Sequence, residues 1–218
     1  KDYQLYIEYQ FQNNKFSLMV NPFIGWFENY SYLEPTGSWS VLPHAGQIYR
    51  YNETEAIMSG GEILAKYDIN NNWSINTDVE YVYNSNITDN YSLPFTPPTV
   101  VSTNVTYTGY EFRKTVSNGA NEKLNGRRSL LSNYEIKLEN RWVMNQSSVS
   151  RNEQSTPGAL LWNISAYAHW NLGNNWFITV LQVDNIFDSA FMNHLSFYRK
   201  LNAPEPGRNI QLILKIPF

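Results

Sequence analysis

Arg208-Asn209-Ile210-Gln211-Leu212-Ile213-Leu214-Lys215-Ile216-Pro217-Phe218, the end of the chain, decides the reading of everything before it. Side chains alternate across a strand with period 2, so Ile210, Leu212, Leu214, Ile216 and Phe218 share one face. Asn209, Gln211, Ile213, Lys215 and Pro217 share the other. A strand that is apolar on one side and mixed on the other fits a lipid-facing strand of a transmembrane β-barrel. It fits an edge strand of a soluble β-sandwich as well.

The same alternation recurs upstream. Tyr3, Leu5, Ile7, Tyr9 and Phe11 interleave with Gln4, Tyr6, Glu8, Gln10 and Gln12. Further strands are predicted from Phe16, across 47–69 as one very long strand, over 73–83, 99–108, 134–144, 159–170 and 176–187, and in the terminal segment. Asn13-Asn14-Lys15, Asn70-Asn71-Asn72 and Leu172-Gly173-Asn174-Asn175 read as tight turns. Residues 30–46, 84–98, 145–158 and 188–207 read as long loops. In a meander the short turns then fall on the end where the chain terminates and the long loops on the other end, which is the asymmetry of outer-membrane barrels. The segment 109–131, with Lys123, Arg127 and Arg128, departs from this pattern. About nine strands result, an odd number that leaves the rest of an even-stranded wall to residues outside this sequence.

Composition narrows the classes. The 218 residues are 42% hydrophobic with a mean hydropathy of −0.46, and no run approaches the roughly 18 apolar residues of a spanning helix. Sixteen Tyr, 11 Phe and 7 Trp suit interfacial girdles. Without Cys there is no disulfide scaffold and no thiolate metal site. A net charge of −3 argues against a nucleic-acid partner. The sequence opens at Lys1 with no export signal, so the signal has been removed or the chain continues a longer one.

Few residues point to chemistry. His44 and His194 lie in predicted extracellular loops and meet over the mouth in one reading; solvated loop histidines are the plainer one. Trp26, Phe27, Tyr30, Tyr32 and Trp39 crowd the first long loop and suit stacking on a ligand, although Trp26 and Phe27 fit an interfacial girdle better. His169 and Ser165, four residues apart on one strand face, are too far apart for a catalytic pair, so no enzyme is expected. No cofactor and no metal are expected either.

Five segments resemble, in order, the C-terminal half of the TonB-dependent outer-membrane receptors: Ile48-Tyr49-Arg50-Tyr51-Asn52-Glu53-Thr54-Glu55-Ala56 followed by Gly60-Gly61-Glu62; Asp89-Asn90 ahead of Leu93-Pro94-Phe95-Thr96-Pro97-Pro98; Glu153-Gln154-Ser155-Thr156-Pro157-Gly158; Val183-Asp184-Asn185-Ile186-Phe187-Asp188; and Pro206-Gly207-Arg208 before the terminal aromatic. Ala159 after the Pro-Gly, Pro217 and the long 109–131 segment depart from the pattern. The resemblance implies an all-β antiparallel transmembrane barrel of 22 strands with a plugged lumen. Residues 1–218 would form its C-terminal portion, with the plug domain in another part of the protein. It implies active import of a scarce nutrient, such as a ferric siderophore, haem, cobalamin or a metal chelate. The implied partners are outer-membrane lipid, the rest of the barrel, the TonB energy-coupling complex and the barrel-assembly machinery, with Phe218 as insertion signal. Tyr32, Trp39, His44 and His194 are the expected ligand contacts. The expected location is a bacterial outer membrane with the C-terminus periplasmic. A self-contained passive pore and a secreted glycan-binding sandwich are the alternatives.

Overall fold

The computed structural model describes residues 1–42, 46–110, 130–172 and 175–217. They form one antiparallel sheet: β1 (Asp2–Tyr6), β2 (Tyr9–Gln12), β3 (Phe16–Trp39), β4 (Gln47–Asp68), β5 (Trp73–Asn86), β6 (Val100–Tyr110), β7 (Leu131–Val143), β8 (Ala159–Leu172), β9 (Asn175–Asp184) and β10 (Asn209–Lys215). From β3 onward each strand pairs with its successor, and β1 and β2 both lie on β3. No helix among the described residues is long and apolar enough to cross a membrane.

The expected nine strands become ten through one interruption. Tyr6 pairs with Phe23 and Tyr9 with Val20, so a single register runs through Ile7 and Glu8. The Ile7 N–H donates to the Pro22 carbonyl at 3.1 Å. Pro22 has no N–H to return, and the ladder breaks there.

The register decides what each face is made of. Ile24, Ser59 and Tyr83 lie in one cross-strand row, as do Val79, Val101, Trp142 and Leu160, then Leu138, Ile164, Val183 and Ile210. The whole row set is one apolar face with no second layer over it among the described residues: Leu5 is 56% and Leu212 75% exposed. A β-sandwich would bury such a face against a second sheet, so the sandwich reading falls. Tyr67, Trp73, Tyr107, Tyr134 and Trp170 ring this face near the short turns, and Tyr3, Trp26, Tyr83 and Trp142 ring it towards the loops. From Trp73 to Tyr83 is about 33 Å of strand, or about 25 Å of height at the usual barrel tilt. The opposite face is polar and bonded along and across strands. Asn76 Nδ2 donates to Asn104 Oδ1 at 2.9 Å, Lys137 Nζ meets Glu139 Oε2 at 3.1 Å, and Asn163 Nδ2 donates to Glu139 Oε1 at 2.9 Å.

Two short turns share one device. Asn13 Oδ1 accepts from the N–H groups of Lys15 and Phe16, and Asn70 Oδ1 accepts from those of Asn72 and Trp73, at 2.8–3.0 Å. An Asn side chain imitating a backbone carbonyl closes each hairpin without glycine.

Several expectations are corrected. Residues 30–39 are strand, not loop: β3 and β4 run on together as a two-stranded ribbon to the pair Trp39 and Gln47, with bulges after Phe27 and Pro35. Pro35 sits where the ladder to β4 slips, between the pairs Pro35–Tyr49 and Trp39–Gln47, and a bulge tolerates the missing N–H. Phe27 faces inward and packs on Tyr30 at 5.5 Å, because adjacent strand residues take opposite faces; only Trp26 belongs to the girdle. Strand β9 stops at Asp184, three residues before the expected end. His44, Phe218, residues 111–129 with Lys123, Arg127 and Arg128, and residues 173–174 lie outside the described residues.

The early end of β9 has a local cause. Asn185 adopts φ 51°, in the left-handed region. Its Oδ1 accepts from the Ser189 N–H, its Nδ2 donates to the Ser189 carbonyl, and its own N–H donates to Asn163 Oδ1, each at 2.9 Å. Asn185→Ala loses the side-chain bonds and pays for the left-handed backbone, about 2 kcal/mol together. Thermal unfolding of the refolded barrel is expected to show the loss, and Asn185→Gly to recover the backbone share of it.

Candidate functional site

The long connections do not hang free at the loop end; two polar clusters tie them down. The first joins the β3–β4 ribbon to the β5–β6 loop. Tyr32, Ala56 and Leu93 form a buried apolar nucleus with Phe27, Tyr30 and Met58 against it. Around it, Asn86 Nδ2 donates to Tyr32 Oη and Asp89 Oδ2, and Thr54 Oγ1 donates to Asn86 Oδ1 at 2.6 Å. Tyr91 Oη donates to Glu34 Oε1 at 3.2 Å, while Arg50 and Asn52 satisfy Glu34 Oε2. Burial, the Tyr32 hydroxyl and the nearby carboxylates of Glu34 and Asp89 push the Tyr91 phenol well above its ordinary pKa, which keeps it a donor.

The second cluster gathers three loops at one carboxylate. Glu153, on the β7–β8 loop, is 1% exposed in its side chain. Its Oε1 accepts from Arg199 Nη2 at 2.6 Å and from the Phe95 N–H at 3.0 Å, and its Oε2 accepts from the Ser150 N–H at 3.0 Å. Arg199 belongs to a short 3-10 helix, Phe197–Leu201, in the β9–β10 loop, opened by Ser196 accepting from the Tyr198 N–H. Its Nη1 donates to the Gln154 carbonyl at 2.6 Å and to Thr156 Oγ1 at 3.2 Å. The next residue, Lys200, reaches the ribbon: its Nζ donates to Gln47 Oε1 and Tyr49 Oη and lies 4.6 Å from the Tyr49 ring centroid. Burial, then the Arg199 charge, lowers the Lys200 pKa. Tyr49, Phe95 and Phe197, one from each element, pack with centroids 5.0–5.9 Å apart. Phe95 takes φ 59° to do so, a conformation that a bulky residue adopts only when its surroundings impose it.

His194 sits inside this second cluster. It is 1% exposed, which makes it neither a solvated histidine nor a free one. Arg199 Nη1 stands 3.2 Å from Nδ1 and has only protons to offer, so Nδ1 accepts and Nε2 carries the ring proton towards Glu153 Oε1 at 3.5 Å. Thr156 Oγ1 lies 2.7 Å from the same Nδ1. Burial first, and Arg199 second, depress its pKa to about 4. The docked loops therefore refuse a proton that released loops would accept at the ordinary value near 6.5. Loop docking is expected to be indifferent to pH above about 6.5 and to weaken as pH falls from there to about 4. Protease sensitivity of the β9–β10 loop, measured across that window in the parent and in His194→Gln, checks it; the substitution flattens the profile.

Of the other expected contacts, Tyr32 is buried in the first cluster and Trp39 is exposed at the ribbon tip. His169 bonds to a residue that the sequence did not single out. Ser132 Oγ lies 2.5 Å from His169 Nδ1 and also donates to the His169 carbonyl at 3.2 Å, beside the bulge between Leu131 and Asn133. The ring stacks on Trp176 at 5.4 Å. The pair ties down a bulged strand end.

No family model matches the sequence, and no curated protein matches it either. Solved structures do. The chain superposes over 100% of its length on 31% of the copper transporter OprC, with a TM-score of 0.75 and 18% identity. It covers 29% of BauA, the ferric preacinetobactin receptor of Acinetobacter baumannii, at TM-score 0.65 and 12% identity, and 26% of P. aeruginosa FpvA bound to a ferric pyoverdine at 0.55 and 13%. The chain has the barrel fold of the TonB-dependent receptors. It spans less than a third of each of these chains.

The segments that carried the resemblance to TonB-dependent receptors are the ones that dock the loops. Asn52, Thr54, Ala56 and Asp89 build the first cluster. Glu153 and Thr156 build the second. Asn185 shapes the strand end, and Asp188 Oδ1 accepts from the Arg208 N–H at 2.7 Å beside Gly207, closing the neck of the last loop.

Proposed function

We propose that this chain is the C-terminal part of the barrel wall, together with extracellular ligand loops, of an outer-membrane active-transport receptor for a scarce nutrient. What carries the reading is the pairing of a single-layered wall, apolar outside and polar inside, with a loop end built as one docked assembly; a passive pore has no need of the second. The names of the neighbours, a copper transporter and two ferric-siderophore receptors, support a metal or metal-chelate cargo. In this reading the loop end is extracellular and the short turns, with the C-terminus, are periplasmic. The open edges at β1–β2 and β10 meet further wall strands, a plug domain fills the lumen, and TonB acts through that plug. Outer-membrane lipid covers the apolar face, and the barrel-assembly machinery inserts the wall through the terminal strand and Phe218. Trp39, at the ribbon tip, and His44 are ligand contacts; Tyr32 and His194 shape the surface from beneath. The chain performs transport and no chemistry.

Washing cell membranes with alkaline carbonate tests the wall. The protein should stay in the pellet and leave it only with detergent; recovery as a soluble monomer overturns the proposal. The coding sequence upstream of Lys1 tests the receptor: a plug-like domain supports it, and a signal peptide directly before Lys1 favours the passive barrel.

A further inference from the structure

Between the inner wall and the underside of the β9–β10 loop lies a cavity of about 320 Å³. Its floor is Val100 and Val143 with Glu80 and Arg141, all on the polar face by register. Pro97 and Pro98 close one side, and Phe191 and Met192 form the roof with Glu205 beside them. This roof is fixed in advance at both ends. The Glu205 N–H donates to the Phe191 carbonyl at 2.9 Å and pinches the neck, while the His194–Thr156 bond and the Arg199–Glu153 pair hold the head. A preformed, mostly apolar concavity with a few charged groups is the usual form of a small-molecule site.

The charges on its walls select the ligand. On the inner face Lys137 pairs with Glu139 and Lys66 with Asp68, whereas Glu80 stands across from Glu62 and close to Asp78, so this part of the wall carries excess negative charge. Among the described residues Arg141, Glu80 and Glu205 form no ion pair. His194 lines the same cavity and is held neutral by its burial. One guanidinium and two carboxylates therefore face a space with apolar walls. An anion alone would meet two like charges, and a cation alone would leave the fork-shaped donor of Arg141 empty. Glu80 and Arg141 stand two strands apart, about 10 Å, and two residues apart along them, so a ligand that reaches both carries its opposite charges well separated, as at the two ends of a dipeptide.

We propose that this cavity binds a small zwitterion of dipeptide length, its carboxylate on Arg141, its ammonium group between Glu80 and Glu205, and its apolar side chains against Phe191, Met192 and the two prolines. The site rests on the receptor reading only in making this ligand cargo or part of a cargo; the binding itself does not need it.

Calorimetric titration of the complete detergent-solubilised protein with leucyl-phenylalanine tests the site. Saturable binding is expected, weakened at least roughly tenfold when the carboxylate is amidated or the amine acetylated. In Arg141→Gln the dipeptide and its amide should bind equally weakly, and in Glu80→Gln the penalty for acetylation should shrink. The ligand series on the unaltered protein stands even if a variant fails to assemble. Equal binding of all three ligands overturns the proposal, as does no saturable binding, the result expected if the protein's own chain fills the cavity. A dipeptide that binds to a protein lacking energy-coupled import would leave the site standing and remove the receptor reading.

Discussion

Glu153→Ala is expected to release three loops at once while the barrel beneath them keeps its transition. The side chain accepts from Arg199, Phe95 and Ser150, which sit on different connections. Removing it leaves a guanidinium that is 4% exposed with no carboxylate partner, and a buried charge stripped of its partner costs about 3–5 kcal/mol. That exceeds what a surface connection has in reserve, since loops open at the low end of a protein's stability range. Phe95 also loses the bond that holds its left-handed backbone, so the three-ring contact with Tyr49 and Phe197 should loosen with it. Limited proteolysis of the detergent-solubilised protein is the measurement: new cleavage within 87–99, 144–158 and 185–208, with heat-induced unfolding of the barrel almost unmoved. Arg199→Met separates charge from packing. If the pair is the clamp, Glu153→Ala combined with Arg199→Met costs much less than the two single changes added together, because it leaves no orphaned charge. Additive losses would mean that the loops are held by apolar contacts alone.

The wall was legible in the sequence for a physical reason. A single-layered sheet between lipid and a polar interior obeys one rule, alternation, and Tyr3 to Phe11 or Ile210 to Ile216 show it directly. Where the rule was obscured, the reading slipped. Pro35 and Gly37 look like loop punctuation, yet they lie at a bulge within the β3–β4 ribbon, where a strand tolerates a proline. Asn185 ends β9 early through a left-handed backbone that no periodicity records. The loop assembly was legible only in part. Glu153 and Thr156 stood out within a motif, but their partners Phe95 and Arg199 lie 58 and 46 residues away in sequence. No spacing links them, and a buried ion pair leaves no trace in composition. His194 carried the same ambiguity: a histidine in a polar loop reads as solvated until the loop is seen folded over it.

The outer face admits a test of comparable size. Leu138 lies midway between Tyr134 and Trp142 on β7, in the apolar cross-strand row with Val105 and Ile164. If that face meets hydrocarbon, Leu138→Arg places a guanidinium near the bilayer midplane, at a cost of about 2–4 kcal/mol. The neighbouring Lys137 faces the interior, where its ammonium group already pairs with Glu139. Lys137→Arg and Ser165→Arg, both on the inner face, should therefore change unfolding in lipid by much less, since the polar lumen accepts a charge. Arginine moved towards the rim, at Tyr134 or Trp142, should cost progressively less as the side chain gains the interface. Unfolding of the protein reconstituted in vesicles gives the five numbers side by side. A depth-dependent cost on the outer face with a flat response on the inner one is the signature of a wall in lipid. Equal costs on both faces would mean that Leu138 packs against protein, and the transport reading would lose the surface on which it stands.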